Sequence, residues 1–199
     1  MKGNNSKCIK CIHLDRKYSE FPCNECCDGD LCITEAPIIK DSGERREFGT
    51  GAVRDIQEGK GRCDLLPLDV IEEYTTCIDD YRKKVLTAIR NFMEVDDHIY
   101  LLTALDNFRK ARGWDEMTMF LEVAKHFEEG AKKYGEYNWQ KGIPLHCYID
   151  SAVRHYLKWL RGDKDEPHDR AFVWNIMCCI WTYNHKPEMN DIRKEKEND

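Results

Sequence analysis

Pro144-Leu-His-Cys-Tyr-Ile-Asp-Ser-Ala-Val-Arg-His-Tyr-Leu-Lys-Trp-Leu-Arg-Gly162 is the stretch whose reading decides the fold. Proline is tolerated in the first turn of a helix, and glycine stops one. Between them Ile149, Ala152, Val153, Tyr156 and Leu160 recur at helical spacing. The same reading extends in both directions. Asp115 looks like an N-cap for a helix to about Tyr134, stopped by Gly135, with Met117, Phe120, Leu121, Ala124, Phe127 and Ala131 as its apolar stripe. A last helix begins near Glu166-Pro167 and runs to about Tyr183, with Trp174 and Trp181 on its buried side. Upstream, Pro67 opens a helix carrying Leu68, Ile71, Tyr74 and Ile78. A second, about Asp79 to Met93, is amphipathic through Val85, Ile89 and Phe92. A third, about Asp97 to Arg112, groups Tyr100, Leu101, Ala104, Leu105 and Phe108, and Gly113 ends it. Strand signals are almost absent outside the first 50 residues. The fold class expected is all-α: a helical bundle over residues 67–183, followed by a fraying, flexible tail at 184–199.

Composition narrows the function. The chain has 199 residues and a net charge of −6, which argues against a nucleic-acid polymer as partner. Hydrophobic residues make up 41% and charged residues 34%, the balance of a globular chain with a wet surface. No apolar run is long enough to span a membrane, so no membrane partner is expected. Met1 to Lys10 has no apolar core of a secretory signal, so a cytoplasmic, reducing setting is expected. Against that setting, 11 cysteines are many, and six fall in the first 32 residues. Cys8-x2-Cys11 and Cys23-x2-Cys26 pair their thiolates in two knuckles, the pattern of a structural zinc site. Residues 1–33 are therefore read as a zinc-binding appendage whose metal supplies most of its folding energy, with His13, Cys27 and Cys32 as spare ligands. Cys63, Cys77, Cys147, Cys178 and Cys179 read as small core residues.

Polar groups interrupt the helical stripes in a pattern. Glu122, His126 and Glu129 line up on one helix. Asp150, Arg154 and His155 punctuate the next, and Asp163, Asp165 and His168 follow at its end. Asn175 lies in a very apolar stretch and needs a partner or ligand if buried. Acidic and imidazole groups offered by three helices are how bundles assemble divalent-metal sites. Mg2+ or Mn2+ suits the oxygen ligands, and the histidines leave room for other ions. Residues 34–66 are a glycine-rich, loop-like segment. There Arg54, Lys60 and Arg62 can pair with phosphate, but no Gly-Lys-Ser/Thr marks a P-loop. A second basic and aromatic group spans residues 132–142, where Trp139 or Tyr137 can stack on a base.

Three blocks together resemble a phage-associated family, the dATP/dGTP diphosphohydrolase N-terminal domain. They are Phe-Gly-Thr-Gly-Ala-Val-Arg-Asp with Gly-Lys-Gly-Arg-Cys-Asp-Leu-Leu in residues 48–66, Glu-Glu-Gly-Ala-Lys-Lys-Tyr-Gly-Glu-Tyr-Asn-Trp-Gln-Lys-Gly at 128–142, and the Asp-Ser-Ala-Val-Arg-His … Asp-Glu-Pro-His … Trp-Asn run at 150–175. The resemblance implies an all-α, MazG-like nucleotide pyrophosphohydrolase acting in an infected bacterial cell. Such an enzyme splits a purine deoxynucleoside triphosphate into the monophosphate and pyrophosphate. It also implies Glu129, Asp150, His155, Asp165 and His168 as ligands of Mg2+ or Mn2+. Glu129 and Asp165 would be the catalytic carboxylates. Lys60, Arg62, Lys133, Trp139, Arg154 and Asn175 would hold the substrate. Inserted helices at about 75–112 separate the first and second blocks and are natural candidates for a homo-oligomer contact. The MazG-type Glu-x-x-Glu pair is not present at Glu122/Glu129. That leaves a second expectation, a protein that sequesters a nucleotide-derived signal of host defence without turnover. A third is an interaction protein whose zinc knuckle and inserted helices dock a partner.

Overall fold

A computed structural model describes residues 43–57, 59–74 and 80–192. The proposed zinc ligands Cys8, Cys11, Cys23 and Cys26 lie outside the described residues. The described chain is mostly helical, as the periodicity predicts. Its helices are α1 (Leu68–Tyr74), α2 (Asp80–Val95), α3 (Ile99–Arg112), α4 (Glu116–Tyr134), α5 (Leu145–Arg161) and α6 (His168–His185). No described helix is long and apolar enough to cross a membrane.

The predicted punctuation sets the ends. Asp115 caps α4 by accepting from the Thr118 N–H at 2.8 Å. Gly162 ends α5 in the left-handed conformation, φ +87°, where an L side chain is strained. There the Gly162 and Asp163 N–H groups return to the Trp159 and Lys158 carbonyls, both at 3.0 Å.

The core gathers around Phe108 of α3. Its ring centroid lies 4.4 Å from Phe172, 4.9 Å from Trp159 and 6.1 Å from Tyr156. The inserted helices are therefore part of this core. Val85, Leu86, Ile89 and Phe92 of α2 and Leu101 and Phe108 of α3 are fully buried within the chain itself. Tyr156 donates to the Arg82 carbonyl and Tyr183 to the Asp96 carbonyl, which ties α5 and α6 to the inserted pair.

Three expectations need correction. The buried face of α4 is Met119, Val123 and His126, while Met117, Phe120 and Leu121 are exposed. This helix carries apolar residues over a wider arc than its packing against α6 can cover. Second, the segment read as loop-like holds an antiparallel hairpin, β1 (Arg45–Glu47) and β2 (Val53–Asp55), in the register Arg45↔Asp55 and Glu47↔Val53. Its outer edge is satisfied by the buried Asn138 side chain, which accepts from the Val53 N–H at 2.9 Å and donates to the Val53 carbonyl at 2.8 Å. Third, the tail read as starting at 184 is anchored as far as its described residues run. Asn190 donates to Asp96, and Asp191 accepts from the His146 N–H and pairs with the His146 ring.

Candidate functional site

The hairpin, the loop after it, and α4, α5 and α6 enclose a cavity of about 490 Å³. That volume lies in the usual range for small-molecule sites. Arg46, Arg54 and Lys60 line it from the N-terminal side, Arg154 and Lys158 from α5. Trp174 and Tyr134 supply aromatic wall, and Asp165 and Glu166 stand at the corner between α5 and α6.

Each wall has a local cause. Arg54 reaches over the Tyr148 ring, 5.1 Å from its centroid, and donates to Asn175 Oδ1 at 2.7 Å and Ser151 Oγ at 3.1 Å. Asn175 is thereby satisfied, since its amide N–H also reaches the Ala171 carbonyl. The Arg54 Nη1 and Arg46 Nε atoms are buried without a hydrogen-bond partner among the described residues. Unmatched donors on two cations suit an anion.

The loop that carries Lys60 is strapped to α5. Asp150, which is buried, accepts from the Cys63 N–H at 2.6 Å, from Gln57 at 2.9 Å and from Arg154. Arg154 continues to the Lys60 and Gly61 carbonyls. On the opposite side, Lys133 and Tyr134 donate to Asp55 at 2.9 and 2.7 Å. Burial pushes the Asp55 carboxyl up, but those two hydrogen bonds, together with the Lys133 and Lys60 charges, hold the group below the usual carboxylate range.

The corner between α5 and α6 is the one place in the described residues where metal-type ligands converge on the cavity. His155, Glu166 and His168 place ligand atoms within 4.8 Å of one another, and so do Asp163, Asp165 and His168. His155 Nδ1 is 3.0 Å from His168 Nδ1, and His168 Nε2 is 2.8 Å from Asp165 Oδ1. Burial, then the neighbouring His168, push the His155 imidazole well below its ordinary value, so it is neutral, the form that binds a metal. Two imidazole nitrogens with carboxylate oxygens are a donor set that fits a divalent transition-metal ion.

The sequence-predicted site residues divide accordingly. Lys60, Asp150, Arg154, His155, Asp165 and Asn175 line the cavity, and buried His168 stands behind His155. Lys133 reaches the wall through Asp55. The structure places the other candidates differently. Asp150 has its oxygens engaged by Gln57, Cys63 and Arg154 and joins no ligand cluster. Glu129 does not line the cavity; it faces Arg170 at 3.6 Å. Arg62 turns away to form a two-point ion pair with Asp64. Trp139 packs between Phe127 and Trp181, with centroids 5.6 and 5.0 Å away, so the aromatic wall is Trp174 instead. Cys147 is more than core filling, because it lines the cavity and its Sγ accepts from Arg46 at 2.9 Å.

Residues that the periodicity reading leaves out are Arg46, Gln57, Tyr134, Lys158 and Glu166. Glu166 carries a signal, as an acid between Asp165 and His168, and so does Tyr134, within the basic and aromatic group at 132–142. Neither the curated proteins nor the solved structures give a match to this chain. Residues 116–192, which hold α4, α5 and α6 and hence the metal-type corner, match the family described as dATP/dGTP diphosphohydrolase, N-terminal.

Proposed function

We propose that the chain is a metal-dependent pyrophosphohydrolase of purine deoxynucleoside triphosphates. The observation that carries this reading is the cavity's polarity. Arg46, Arg54, Lys60 and Lys158 surround one space, with Asp165, Glu166 and His155 at its corner and Trp174 on its wall. A triphosphate needs several cations, a base needs an aromatic face, and a hydrolase needs a group that positions water. The family matched by residues 116–192 bears the corresponding name.

In this reading Lys60, Arg46 and Arg54 bind the phosphates, and Trp174 packs against the base. His155 and His168 would hold a divalent ion, which would supply charge neutralisation and a more acidic water. The water oxygen bonds to the α-phosphorus, and the bond from that phosphorus to the bridging oxygen breaks. Pyrophosphate leaves, and Asp165 Oδ2 takes the water's proton. Lys158, 3.3 Å from that oxygen, holds the carboxylate in place.

Purified protein incubated with each triphosphate and Mn2+ or Mg2+ is expected to release monophosphate and pyrophosphate. Lys60→Ala should lower kcat/KM by about 10- to 100-fold, the value of one charged phosphate contact. Absence of both products with every triphosphate and both ions rejects the enzyme. A second reading is favoured by the engagement of Asp150 with Gln57, Cys63 and Arg154, which occupies both of its oxygens. It is a protein that holds a nucleotide-derived signal without turnover, and its mark is intact ligand recovered from the denatured complex.

A further inference from the structure

The corner between α5 and α6 has a geometry that goes further than a general affinity for cations. His155 Nδ1 and His168 Nδ1 are 3.0 Å apart, and Glu166 Oε1 lies 3.7 Å from the first and 3.6 Å from the second. A triangle with those sides has its centre about 2.0 Å from every corner. Zinc and its neighbours bind imidazole nitrogen at about 2.0–2.1 Å and carboxylate oxygen at about 2.0–2.2 Å. The three atoms thus already stand at bonding distance from one common point.

A second observation is independent of those distances. His168 Nε2 points at Asp165 Oδ1, 2.8 Å away. A carboxylate there fixes the proton on Nε2 and leaves the lone pair on Nδ1, the atom at the triangle's corner. Metal-bound histidines carry this kind of carboxylate partner as a rule.

We propose that His155, His168 and Glu166 bind a first-row transition-metal dication, with Asp165 as the residue that orients His168. Glu166 replaces Glu129 and Asp150 as the carboxylate ligand. Mg2+ is disfavoured at this seat, because it takes six oxygen ligands and little nitrogen. Three protein ligands leave a coordination position open. His155 and Glu166 line the cavity, whereas the His168 side chain is only 1% exposed, so the open position faces the cavity. That this opening meets a phosphate rests on the nucleotide reading; the seat of the ion does not.

The test is metal binding by the full chain, read without any nucleotide. Chelator-treated protein is titrated with Mn2+, and free Mn2+ is followed by electron paramagnetic resonance. Mn2+ is chosen because cysteine thiolates, including those of residues 1–33, are poor ligands for it. One Mn2+ per chain is expected, retained in millimolar Mg2+. His155→Gln and Glu166→Gln should each weaken binding by about 100-fold or more, and Asp165→Asn by about 10- to 100-fold. His155 and Glu166 are partly exposed, and circular dichroism confirms that each variant is folded.

Mn2+ binding that survives His155→Gln and Glu166→Gln overturns the proposal. So does a folded protein that binds no Mn2+, in which case the two imidazoles simply share a hydrogen bond. The nucleotide reading fails separately. Mn2+ held as described with no hydrolysis rejects the enzyme and leaves the ion site standing. Hydrolysis unchanged in His155→Gln and Glu166→Gln, with Mn2+ binding that also survives them, rejects the site and leaves the enzyme standing.

Discussion

Arg54 shows how one residue joins fold to site. It leaves the hairpin, lies over Tyr148, and completes the hydrogen bonding of Asn175 on α6. His126 is its opposite, a buried imidazole whose Nδ1 has no hydrogen-bond partner among the described residues. Burial, reinforced by the Arg170 charge, pushes its pKa down to about 3. The sign follows from linkage. The unfolded chain takes up a proton near the ordinary imidazole value of 6.5 and the folded chain does not, so this group lowers stability as pH falls from 6.5 towards 3. Its contribution to the slope approaches about 1.4 kcal/mol per pH unit. His126→Leu is therefore expected to flatten the pH dependence of urea unfolding between pH 4.5 and 6.5 by up to about that amount. An unchanged slope means that the folded protein protonates His126 after all.

At the scale of elements, the joint between α5 and α6 decides where Asp165, Glu166 and His168 stand. Gly162 makes that joint with a positive φ, and a Cβ there would meet no other atom within 4 Å. Gly162→Ala is thus a test of backbone strain alone. It should cost about 1–2 kcal/mol, read as a lower urea midpoint with an unchanged slope. The helices and this joint were legible in the sequence because glycine stops and an aspartate cap are local signals. So were His155, His168 and Asn175, polar residues on helices with apolar faces. The hairpin was not, because three-residue strands are too short to show alternation and their edge is satisfied by Asn138, 85 residues away. The face of α4 was misread for another reason: apolar residues cover two arcs of it, and only packing against α6 chooses between them. Arg62 and Trp139 lie off the cavity because nearer partners, Asp64 and the Phe127–Trp181 pair, hold them.

At the scale of the whole molecule, the inserted helices and the matched segment share one core. Phe108→Ala removes the ring that touches Phe172, Trp159 and Tyr156, and should cost about 3–5 kcal/mol. Tryptophan fluorescence and far-ultraviolet circular dichroism should still report a single, coincident unfolding transition. Two separated transitions would show that α2 and α3 fold as a unit of their own.

The Arg54–Asn175 bond spans 121 residues of chain, and the strap from Cys63 to Asp150 spans 87. Arg54 and the Cys63 strap are therefore made long before the helices that hold them in place. During synthesis Arg54 has no Asn175 to bond until α6 has emerged from the ribosome. Nascent or truncated chains lacking α6 thus lack the Trp174 and Asn175 wall, and the cavity is complete only once the last helix has been made.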